Sequence, residues 1–592
     1  MMFLDRLFLL IICCLLPAHL LGQVKDSVVS TPDSTAILQV RDSSALALPA
    51  ADSLLVADSL QTGDSLVHQR TKVNLVHANV WSYDKERNKD AQVLVGEVCF
   101  RHDSSYMYCD SAYFFESTNS LEAFSHVRME QGDTLFVYGD YLFYDGNAKT
   151  AYLRDSVRME NRQVTLYTDS LNYERIRNIG YYFDGGKIVD SLNVLSSFYG
   201  QYSPATKMAV FNDSVRLENP NFTLYSDTLH YNTVSKIADI LGPSVIVSDS
   251  GTINTSQGWY NTVENTSSLL QRSVITSGDK LLIGDSIFYD RNAGYGEVFG
   301  NMNIVDSARH VILEGNYGRY NEKTGLAFAT DSARCLEFSQ GDTLYLHADT
   351  LLMQTMDPLA GDTLRSPIPA PADSLSLAAG NVQQSDTTYR EIKAFHGVRF
   401  YRKDMQGVCD SMYFSTRDSV LILFKDPVVW NEQYQLYGDT ISVYMNDSTI
   451  DYAHVRQFSF AAQHVDSTYY NQLKGNDLKA YFQGQAVRQI DVEGNAESIF
   501  YPLENDGSKI ARNKTQSGFL SIWIKENKLD KLKIWPAPSG KTIPIPDLTP
   551  DDKMLKDFYW FDYLRPKSKD DIYKVVKRKV SEAPKKSNKF VH

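Results

Sequence analysis

The chain has 592 residues, 43% of them hydrophobic, and its 59 basic and 72 acidic side chains give a formal net charge of -13. This apolar content is enough for a packed core and excludes a wholly disordered chain. The acidic balance argues against a nucleic-acid-binding protein, because phosphate contacts need clustered Lys and Arg, and only the last 28 residues, from Arg565, are basic.

The N-terminus has the pattern of a secretory signal peptide over residues 1–22. Arg6 precedes an apolar run from Leu7 to Leu16, and Pro17 and Gly22 follow. The run is shorter than the ~20 residues that a membrane span needs, so we expect an exported chain, with an uncleaved anchor as the alternative. Residues 23–72, rich in Ser, Asp and Ala, are expected to form a disordered linker.

A repeated phrase characterises residues 73–355. The stretch TLFVYGDYLFYD, residues 134–145, returns as VTLYTDSLNYE, FTLYSDTLHYN and LLIGDSIFYD, and each copy has an Asp followed four residues later by a Tyr. We call these acids the marker residues: Asp140, Asp169, Asp227 and Asp285. The tyrosines keep a period of 29 residues, at Tyr144, Tyr173, Tyr202, Tyr231, Tyr260 and Tyr289. This period predicts stacked units that share one elongated core.

The residues inside each unit alternate with a period of two, as in a strand with two distinct faces. Val164 and Leu166 point to one face, and Thr165 and Tyr167 point to the other. A second phrase, SVRME or SVRLE, lies between markers and is flanked by turn residues, so each unit reads as strand, turn, strand, turn. We expect the marker Asp to bend its strand or to let the chain change sheets.

The rest of the chain shows a second, weaker array. Residues 356–390, rich in Pro, Ala and Ser, are expected to form a linker or long loop with a hinge between two arrays. The stretch VRFYRKDMQGVCDSMYFS at Val398 resembles VCFRHDSSYMYCDSAYFF at Val98, which predicts a second β array over residues 391–545.

Residues 546–592 contain the aromatic segment DFYWFDYLRPK and a basic tail. The aromatic segment is expected either to cap the last strands of the array or to dock on a partner or an anionic membrane. The stretch DIYKVVKRKV, within the tail, is expected to form a short helix.

The phrase GDxLxYD, followed by an alternating strand and a GNV-like step in FGNMNIVDS at Phe299 and EGNAESIFY at Glu493, resembles the OstA-like/LptA-like family of periplasmic lipopolysaccharide-transport proteins. The resemblance implies an all-β, elongated repeat β-jellyroll: a V-shaped double sheet, built as a solenoid-like array of short antiparallel strands, here with a short C-terminal helical tail. It also implies an apolar trough between the sheets that holds acyl chains. This chain is much longer than typical periplasmic members of the family.

The function implied by this resemblance is binding and transport of lipopolysaccharide or a related amphiphile in the periplasm, as part of a bridge to the outer membrane. The implied partners are other jellyroll transport components that pair edge to edge, and further copies of the chain; no nucleic acid is expected. The alternative is a surface-exposed β-solenoid adhesin or structural stalk with a closed core.

The candidate lipid-binding residues are the apolar and aromatic side chains two and four places after each marker. They are Leu142, Tyr144, Leu171, Tyr173, Leu229, Tyr231, Ile287 and Tyr289. The same residues would face inward if they packed only on one another in a closed core, and the period-two alternation is identical in both cases.

The sequence has no signature of an enzyme, and no catalytic residue, metal site or cofactor is predicted. The acids recur evenly, whereas an active site needs one unusual place, and the chain lacks an H-E-x-x-H, a paired C-x-x-C, a P-loop and a G-x-S-x-G motif. Cys99 and Cys109 fall opposite each other if their hairpin turns about Ser104, which would allow a disulfide; a free buried pair is the alternative.

Overall fold

A computed structural model describes residues 71–86, 90–338, 342–356, 389–446, 449–466, 468–483, 486–504, 508–525 and 528–579. The predicted signal peptide, nearly all of the first linker, most of residues 356–390 and the end of the basic tail therefore lie outside the described residues. The described chain is almost entirely antiparallel β-structure, which confirms the predicted all-β fold of many short strands.

The chain forms 42 strands. The first 28 are β1 (Asn74–His77), β2 (Val80–Tyr83), β3 (Gln92–His102), β4 (Ser105–Phe115), β5 (Ser120–Gln131), β6 (Leu135–Asp145), β7 (Thr150–Asn161), β8 (Val164–Glu174), β9 (Ile179–Tyr182), β10 (Gly186–Val189), β11 (Val194–Ser197), β12 (Tyr199–Ser203), β13 (Met208–Asn219), β14 (Phe222–Asn232), β15 (Ile237–Ile240), β16 (Ser244–Ser248), β17 (Gly251–Thr255), β18 (Gly258–Asn261), β19 (Thr266–Leu269), β20 (Ser273–Ser277), β21 (Lys280–Gly284), β22 (Ser286–Asp290), β23 (Tyr295–Asp306), β24 (Val311–Asn321), β25 (Leu326–Thr330), β26 (Arg334–Glu337), β27 (Leu344–His347) and β28 (Thr350–Met356).

The second array contributes the remaining strands. They are β29 (Tyr389–Phe395), β30 (Val398–Tyr401), β31 (Met405–Cys409), β32 (Ser411–Ser415), β33 (Val420–Phe424), β34 (Val428–Asn431), β35 (Tyr434–Tyr437), β36 (Thr440–Asn446), β37 (Thr449–Asp466), β38 (Tyr469–Gln483), β39 (Ala486–Phe500), β40 (Ala511–Lys525), β41 (Lys528–Trp535) and β42 (Ser539–Pro544). Short 3₁₀ helices lie at Ser307–Arg309, Ile545–Asp547, Pro550–Lys553, Asp562–Leu564 and Asp571–Tyr573.

The long strands show how two ladders arise from one chain. Residues 165–168 of β8 pair with β10, whereas residues 172–174 of the same strand pair with β9. The two halves of each long strand therefore belong to different ladders, and we call the one that contains β10 the first ladder and the one that contains β9 the second ladder. Where a strand position is filled by two short strands, one of them joins each ladder.

The bend between the two halves is built into the backbone. In β7 the residues Asp155 and Ser156 have φ of 66° and 52°, and in β13 Asp213 and Ser214 have φ of 62° and 54°. Two left-handed residues break the pairing register with the neighbouring strand and turn the chain. We call the line of these bends the crease. It passes beside the marker residues, but the left-handed pairs lie on strands next to the marker strands, and Asp140, Asp169 and Asp227 are not left-handed. The sequence therefore predicted the place of the bend but assigned it to the wrong strand.

The ladders are long and continuous. Fourteen strands take part in both ladders, and the other 28 form fourteen pairs, so each ladder has 28 positions, which we call layers. At a strand spacing near 4.8 Å the stack is roughly 130 Å long. Seven residue pairs join β28 to β29 on either side of the Pro/Ala/Ser-rich segment, so the two predicted arrays are linked by a main-chain ladder. The boundaries of the predicted domains stay a prediction.

The core lies between the two ladders. Alternate residues of each strand are buried and contribute to one apolar cluster that extends from Val73 to Ile524. The opposite faces of the strands are mostly exposed in the first array, where they carry Arg and Tyr pairs such as Arg158 over Tyr138. Each repeat unit therefore completes its core only by stacking on its neighbours.

The C-terminal segment, residues 545–579, covers the outer face of the first ladder in the second array. Its Leu555, Phe561 and Leu564 pack with Trp430 and Phe460 in a second apolar cluster. The segment does not cap the last strands; it runs along the ladder and contacts strands from β26 and β27 to β40. In place of the predicted helical tail, the structure has a three-residue 3₁₀ helix at Asp571–Tyr573 followed by irregular chain.

The predicted opposition of Cys99 and Cys109 is corrected by one residue. The hairpin turns through the two residues Asp103 and Ser104, so Cys99 pairs with Tyr108 and Cys109 pairs with Val98. Adjacent residues of a strand point to opposite faces, and the two thiols are therefore separated by the strand pair. Both cysteines are free, and burial raises the pKa of Cys109 to about 12.

Candidate functional site

The predicted lipid-binding residues all face the interior between the two ladders. Seven of them are fully buried, and Tyr289 is partly buried against the same cluster. They are distributed along the stack in β6, β8, β14 and β22, and all belong to or pack against the one interior cluster. The marker residues Asp140, Asp169 and Asp227 are exposed at the crease instead.

The side of the molecule opposite the crease is where the hairpin ends of the two ladders meet. We call the hairpin ends of the first ladder lip 1; in the first array they include residues 102–105, 131–135, 161–164 and 190–194. The hairpin ends of the second ladder are lip 2, and they include residues 145–150, 174–179, 203–208 and 232–237. We call the line along which the lips meet the seam.

The periodic tyrosines extend from lip 2 to lip 1. The Tyr173 hydroxyl lies 2.8 Å from Gln131 Oε1 on lip 1 and 2.6 Å from Asn178 Oδ1 on its own lip, and the Tyr231 hydroxyl donates to Asp190 Oδ2 at 2.6 Å. The Tyr144 hydroxyl lies 2.6 Å from His102 Nδ1 in the same arrangement. In these three places the aromatic ring lies in the apolar interior while the hydroxyl reaches a polar group of lip 1, a contact that Phe could not make.

A row of lysines crosses the seam in parallel with the tyrosines. Lys149 Nζ lies 2.8 Å from Asp103 Oδ2, and Lys236 Nζ lies 2.8 Å from Asp190 Oδ2. Lys207 Nζ donates to Asn161 Oδ1, also at 2.8 Å. The two partners of every pair are 46 residues apart in the chain.

The backbone explains which residues can occupy this row on lip 2. Lys149, Lys207 and Lys236 have φ of 55°, 61° and 61°, the left-handed conformation that ends each hairpin. Asn178 and Asn265 occupy the equivalent places with φ of 54° and 57°. Asn is the residue that most readily adopts this conformation after Gly, and Lys takes it where its amine gains a partner on lip 1.

Asp190 is the most deeply buried charge of the seam. Its side chain has no exposed surface, and it accepts hydrogen bonds from Tyr231, from Lys236 and from the backbone amides of Leu192 and Asn193. Burial by itself would raise the pKa of this carboxyl, but the hydrogen bonds outweigh burial and the pKa lies below its usual value. Asp190 therefore holds the two lips together as a carboxylate.

His102 marks the N-terminal end of the seam. Its ring is fully buried between Tyr144, Thr71 and the guanidinium of Arg175. Burial lowers the pKa of His102, and the nearby Arg175 and Lys149 lower it further, although Asp103 opposes them. The imidazole is thus neutral near pH 7 and takes part in the seam as an uncharged hydrogen-bonding group.

These contacts determine what the arrangement can do. Within the first array the contacts named above cross the seam through side chains, whereas every ladder contact is made by the main chain. Each of these side-chain hydrogen bonds contributes a net of about 0.5–1.5 kcal/mol. Because they are separate contacts and not a continuous main-chain ladder, the seam is a weaker boundary of the interior than either ladder. Parting the lips would expose the apolar lining without breaking either ladder.

The described residues contain neither a metal-binding cluster nor a membrane-spanning helix. No group of three or more His, Cys, Asp or Glu side chains is placed to hold a metal ion. Among the described residues no helix has the length and apolar character needed to cross a membrane.

The sequence analysis identified the tyrosines of the seam but missed its lysines. The sequence signal of these lysines is the same 29-residue period, at Lys207 and Lys236.

The comparison with known families supports the predicted resemblance. Residues 70–227 match the family described as OstA-like protein. The matched region spans β1 to most of β14 and includes the seam from His102 to Lys207. A search of curated protein sequences finds no match to this chain.

Proposed function

We propose, from the OstA-like match of residues 70–227, that this chain binds the acyl chains of lipopolysaccharide or a related amphiphile between its two ladders and forms part of a periplasmic bridge to the outer membrane. The match indicates a lipid- or lipopolysaccharide-transport type of family in general, and such families are generally not enzymes. The periplasmic location follows from the same family and from the export signal predicted in the sequence.

The observation that carries the proposal is the seam. It closes the apolar interior along the first array through side-chain donors and acceptors in place of a main-chain ladder, and its tyrosines combine an apolar ring with a polar hydroxyl. An acyl chain that replaced interior contacts would gain about 0.8 kcal/mol for every methylene group it buried. Its polar head would remain at the lips, where hydroxyl, amide and amine groups are available.

A bridge also needs ends that can be extended. Within the described residues, β1 and β2 at one end and β41 and β42 at the other are paired on one side only. Their free edges offer main-chain donors and acceptors to another sheet. We infer that other jellyroll components, or further copies of this chain, pair with these edges.

A closed-core stalk or adhesin is the second candidate, and one observation favours it. The side chains of Leu142, Leu171 and Leu229 are completely buried in one continuous interior cluster. In a stalk, the interior side chains would serve only to stabilise the fold, and the outer faces would bind partners. The two candidates therefore differ in whether the lips part.

The experiment that tests the proposal is photo-cross-linking to lipopolysaccharide in whole cells with an intact envelope. The probe is placed at Leu229, which faces the interior, and in a matched variant at His230, which faces outward from the same strand. We expect lipopolysaccharide adducts at Leu229 and not at His230. If a folded, exported protein gives adducts at neither position, the stalk is the correct function.

A further inference from the structure

The seam changes character from β28, the last strand of the first array, onward. Counting four residues on from Asp349, Asp410 and Asp439, which continue the marker series, gives Met353, Phe414 and Val443 in place of tyrosine. Phe414 and Val443 are buried in the interior cluster, and Met353 packs against it. None of these side chains has a hydroxyl, so the contact that joins the lips in the first array cannot form here.

Lip 1 of the second array carries a polar row on its interior side. Gln463 Nε2 donates to the Tyr434 hydroxyl at 3.0 Å, and Asn471 Nδ2 donates to Gln463 Oε1 at 2.9 Å. Asn431 pairs directly with Tyr434, which extends the row to four strands. We call Asn431, Tyr434, Gln463 and Asn471 the amide row.

The orientation of the amide row follows from the alternation of its strands. Val429 and Leu436, which lie two residues from Asn431 and Tyr434, belong to the interior cluster. Trp430 and Tyr437, on the other face, belong to the second cluster under the C-terminal segment. The amide row is therefore directed inward, toward the apolar side chains of Leu421, Val443 and Ile450 near lip 2.

One member of the row has an unused acceptor. Asn431 is 8% exposed, and its Oδ1 atom has no hydrogen-bond partner in the part of the chain that the structure describes. A buried acceptor without a donor is unfavourable, and a ligand hydroxyl or amide placed there would satisfy it. This is the second observation, besides the missing tyrosines, that points to a ligand at this place.

We propose that the second array contains the port through which an amphiphile enters and leaves the interior, with its polar head on the amide row and its apolar chains toward lip 2. The inference rests on the proposed function. It names the chemical class of the head group: the amide row offers donors and acceptors but no charge, which suits a hydroxyl-rich, uncharged group such as a sugar. The lips of the first array differ because they carry charged groups, among them Lys149, Lys207 and Lys236.

The test compares two interior positions that occupy the same place in the repeat. Met412 and Leu229 each lie two residues after an Asp of the marker series, and both are buried in the interior cluster. An aliphatic photoactivatable probe at each position is exposed to lipopolysaccharide in mixed micelles with a nonionic detergent, and adducts are measured over time. We expect the initial rate at Met412 to exceed that at Leu229 about tenfold, since about 1.4 kcal/mol of seam contacts accounts for such a ratio.

Two variants test the head-group contact. Gln463→Leu interrupts the amide row, and Asn431→Leu removes the buried group that has no partner, so the second variant should fold at least as well as the unaltered protein. Both should reduce the adduct rate at Met412 about threefold or more, by removing hydrogen bonds to the head group. Asn303→Leu, on the outward face of β23, is the matched control and should leave the rate unchanged.

The results of these measurements distinguish a failure of the port from a failure of the proposed function. Adducts that form at Leu229 as fast as at Met412, or rates at Met412 that neither variant changes, would overturn the port and leave lipid binding in place. If no adduct forms at either position, the proposed function fails and the port fails with it. A faster rate at Met412 that falls in both variants supports the port.

Discussion

Lys236 and Asp190 form a charged pair across the seam, with 2.8 Å between Nζ and Oδ2, although 46 residues of chain separate them. The carboxylate is fully buried, and the lysine side chain is 18% exposed. The pair therefore ties two hairpin ends of different ladders at a place where the main chain makes no ladder contact. The stability of the seam can be tested at this pair.

Replacing Lys236 by Met should destabilise the seam locally by about 3 kcal/mol, because the buried Asp190 carboxylate would lose its counter-charge. Amide hydrogen exchange in β11 and β15 should become faster, while exchange in β37 to β40 should not change. Lys187→Met is the control, since this lysine is exposed on an outer face and should cost less than about 0.5 kcal/mol. Equal effects of the two variants would contradict the role given to the pair.

Replacing Tyr231 by Phe should remove one contact across the seam and keep the ring in the interior. We expect a cost of about 1 kcal/mol, because the hydroxyl donates to Asp190 and no other donor takes its place. Tyr225→Phe on the same strand is the control, since the Tyr225 ring is exposed on the outer face. Hydrogen exchange of β14 and β15 measures the difference, and the prediction is wrong if Tyr225→Phe has the larger effect.

The N-terminal end of the seam should weaken as the pH falls below about 6.5. The pKa of His102 is lowered in the folded state from its ordinary value of 6.5, so the unfolded chain binds the proton more readily and acid favours opening. The stabilising contribution is complete above pH 6.5 and is lost as the pH falls toward the lowered pKa. Hydrogen exchange of β3 and β6 at several pH values measures this loss, and His102→Gln should make the profile flatter below about pH 6.5.

The C-terminal segment should be required for the solubility of the second array. Ending the chain after Pro544 would expose Trp430 and Phe460, which are buried beneath the segment. We expect several-fold stronger binding of a hydrophobic dye and self-association in size-exclusion chromatography.

The Gln435→Leu variant tests one contact of the C-terminal segment, because Gln435 donates to Tyr559 O and accepts from Phe561 N. Loss of these hydrogen bonds should weaken the docking of the segment by about 1–3 kcal/mol.

Shortening the segment between β28 and β29 should preserve the stack. Met356 pairs with Tyr389, so residues 357–388 can be replaced by a short turn without separating the paired strands. Loop-closure entropy changes by only about 0.6 kcal/mol for each halving of a loop, and the thermal midpoint should remain within a few degrees. A large loss of stability, or separate melting of the two arrays, would show that they fold as independent bodies.

The sequence predicted the architecture well where the same physical requirement recurs at a fixed interval. Tyr144, Tyr173 and Tyr231 each need an apolar neighbourhood for the ring and a partner for the hydroxyl, and the tyrosine recurs every 29 residues from Tyr144 to Tyr289. The alternation inside the strands and the bend beside the marker residues follow from the same regularity. The resemblance to the OstA-like family is confirmed for residues 70–227.

Features that depend on one turn or on distant contacts were not predictable in this way. The pairing of Cys99 shifted by one position because the hairpin closes with two residues, and a single residue in a turn decides the register of both strands. The docking of Phe561 on Trp430 joins residues more than a hundred positions apart and has no period. The lysines of the seam were missed because their partners lie in a different hairpin.

The crease has a mechanical consequence for the whole stack. Every layer bends about the same line, and each layer is hydrogen-bonded to the next in both ladders, so one layer cannot widen its angle without tilting its neighbours. Widening of the angle therefore involves several neighbouring layers at once. The widened region can move along the axis while the total number of widened layers stays constant. Displacement along the molecule would therefore require far less energy than opening the entire stack at once.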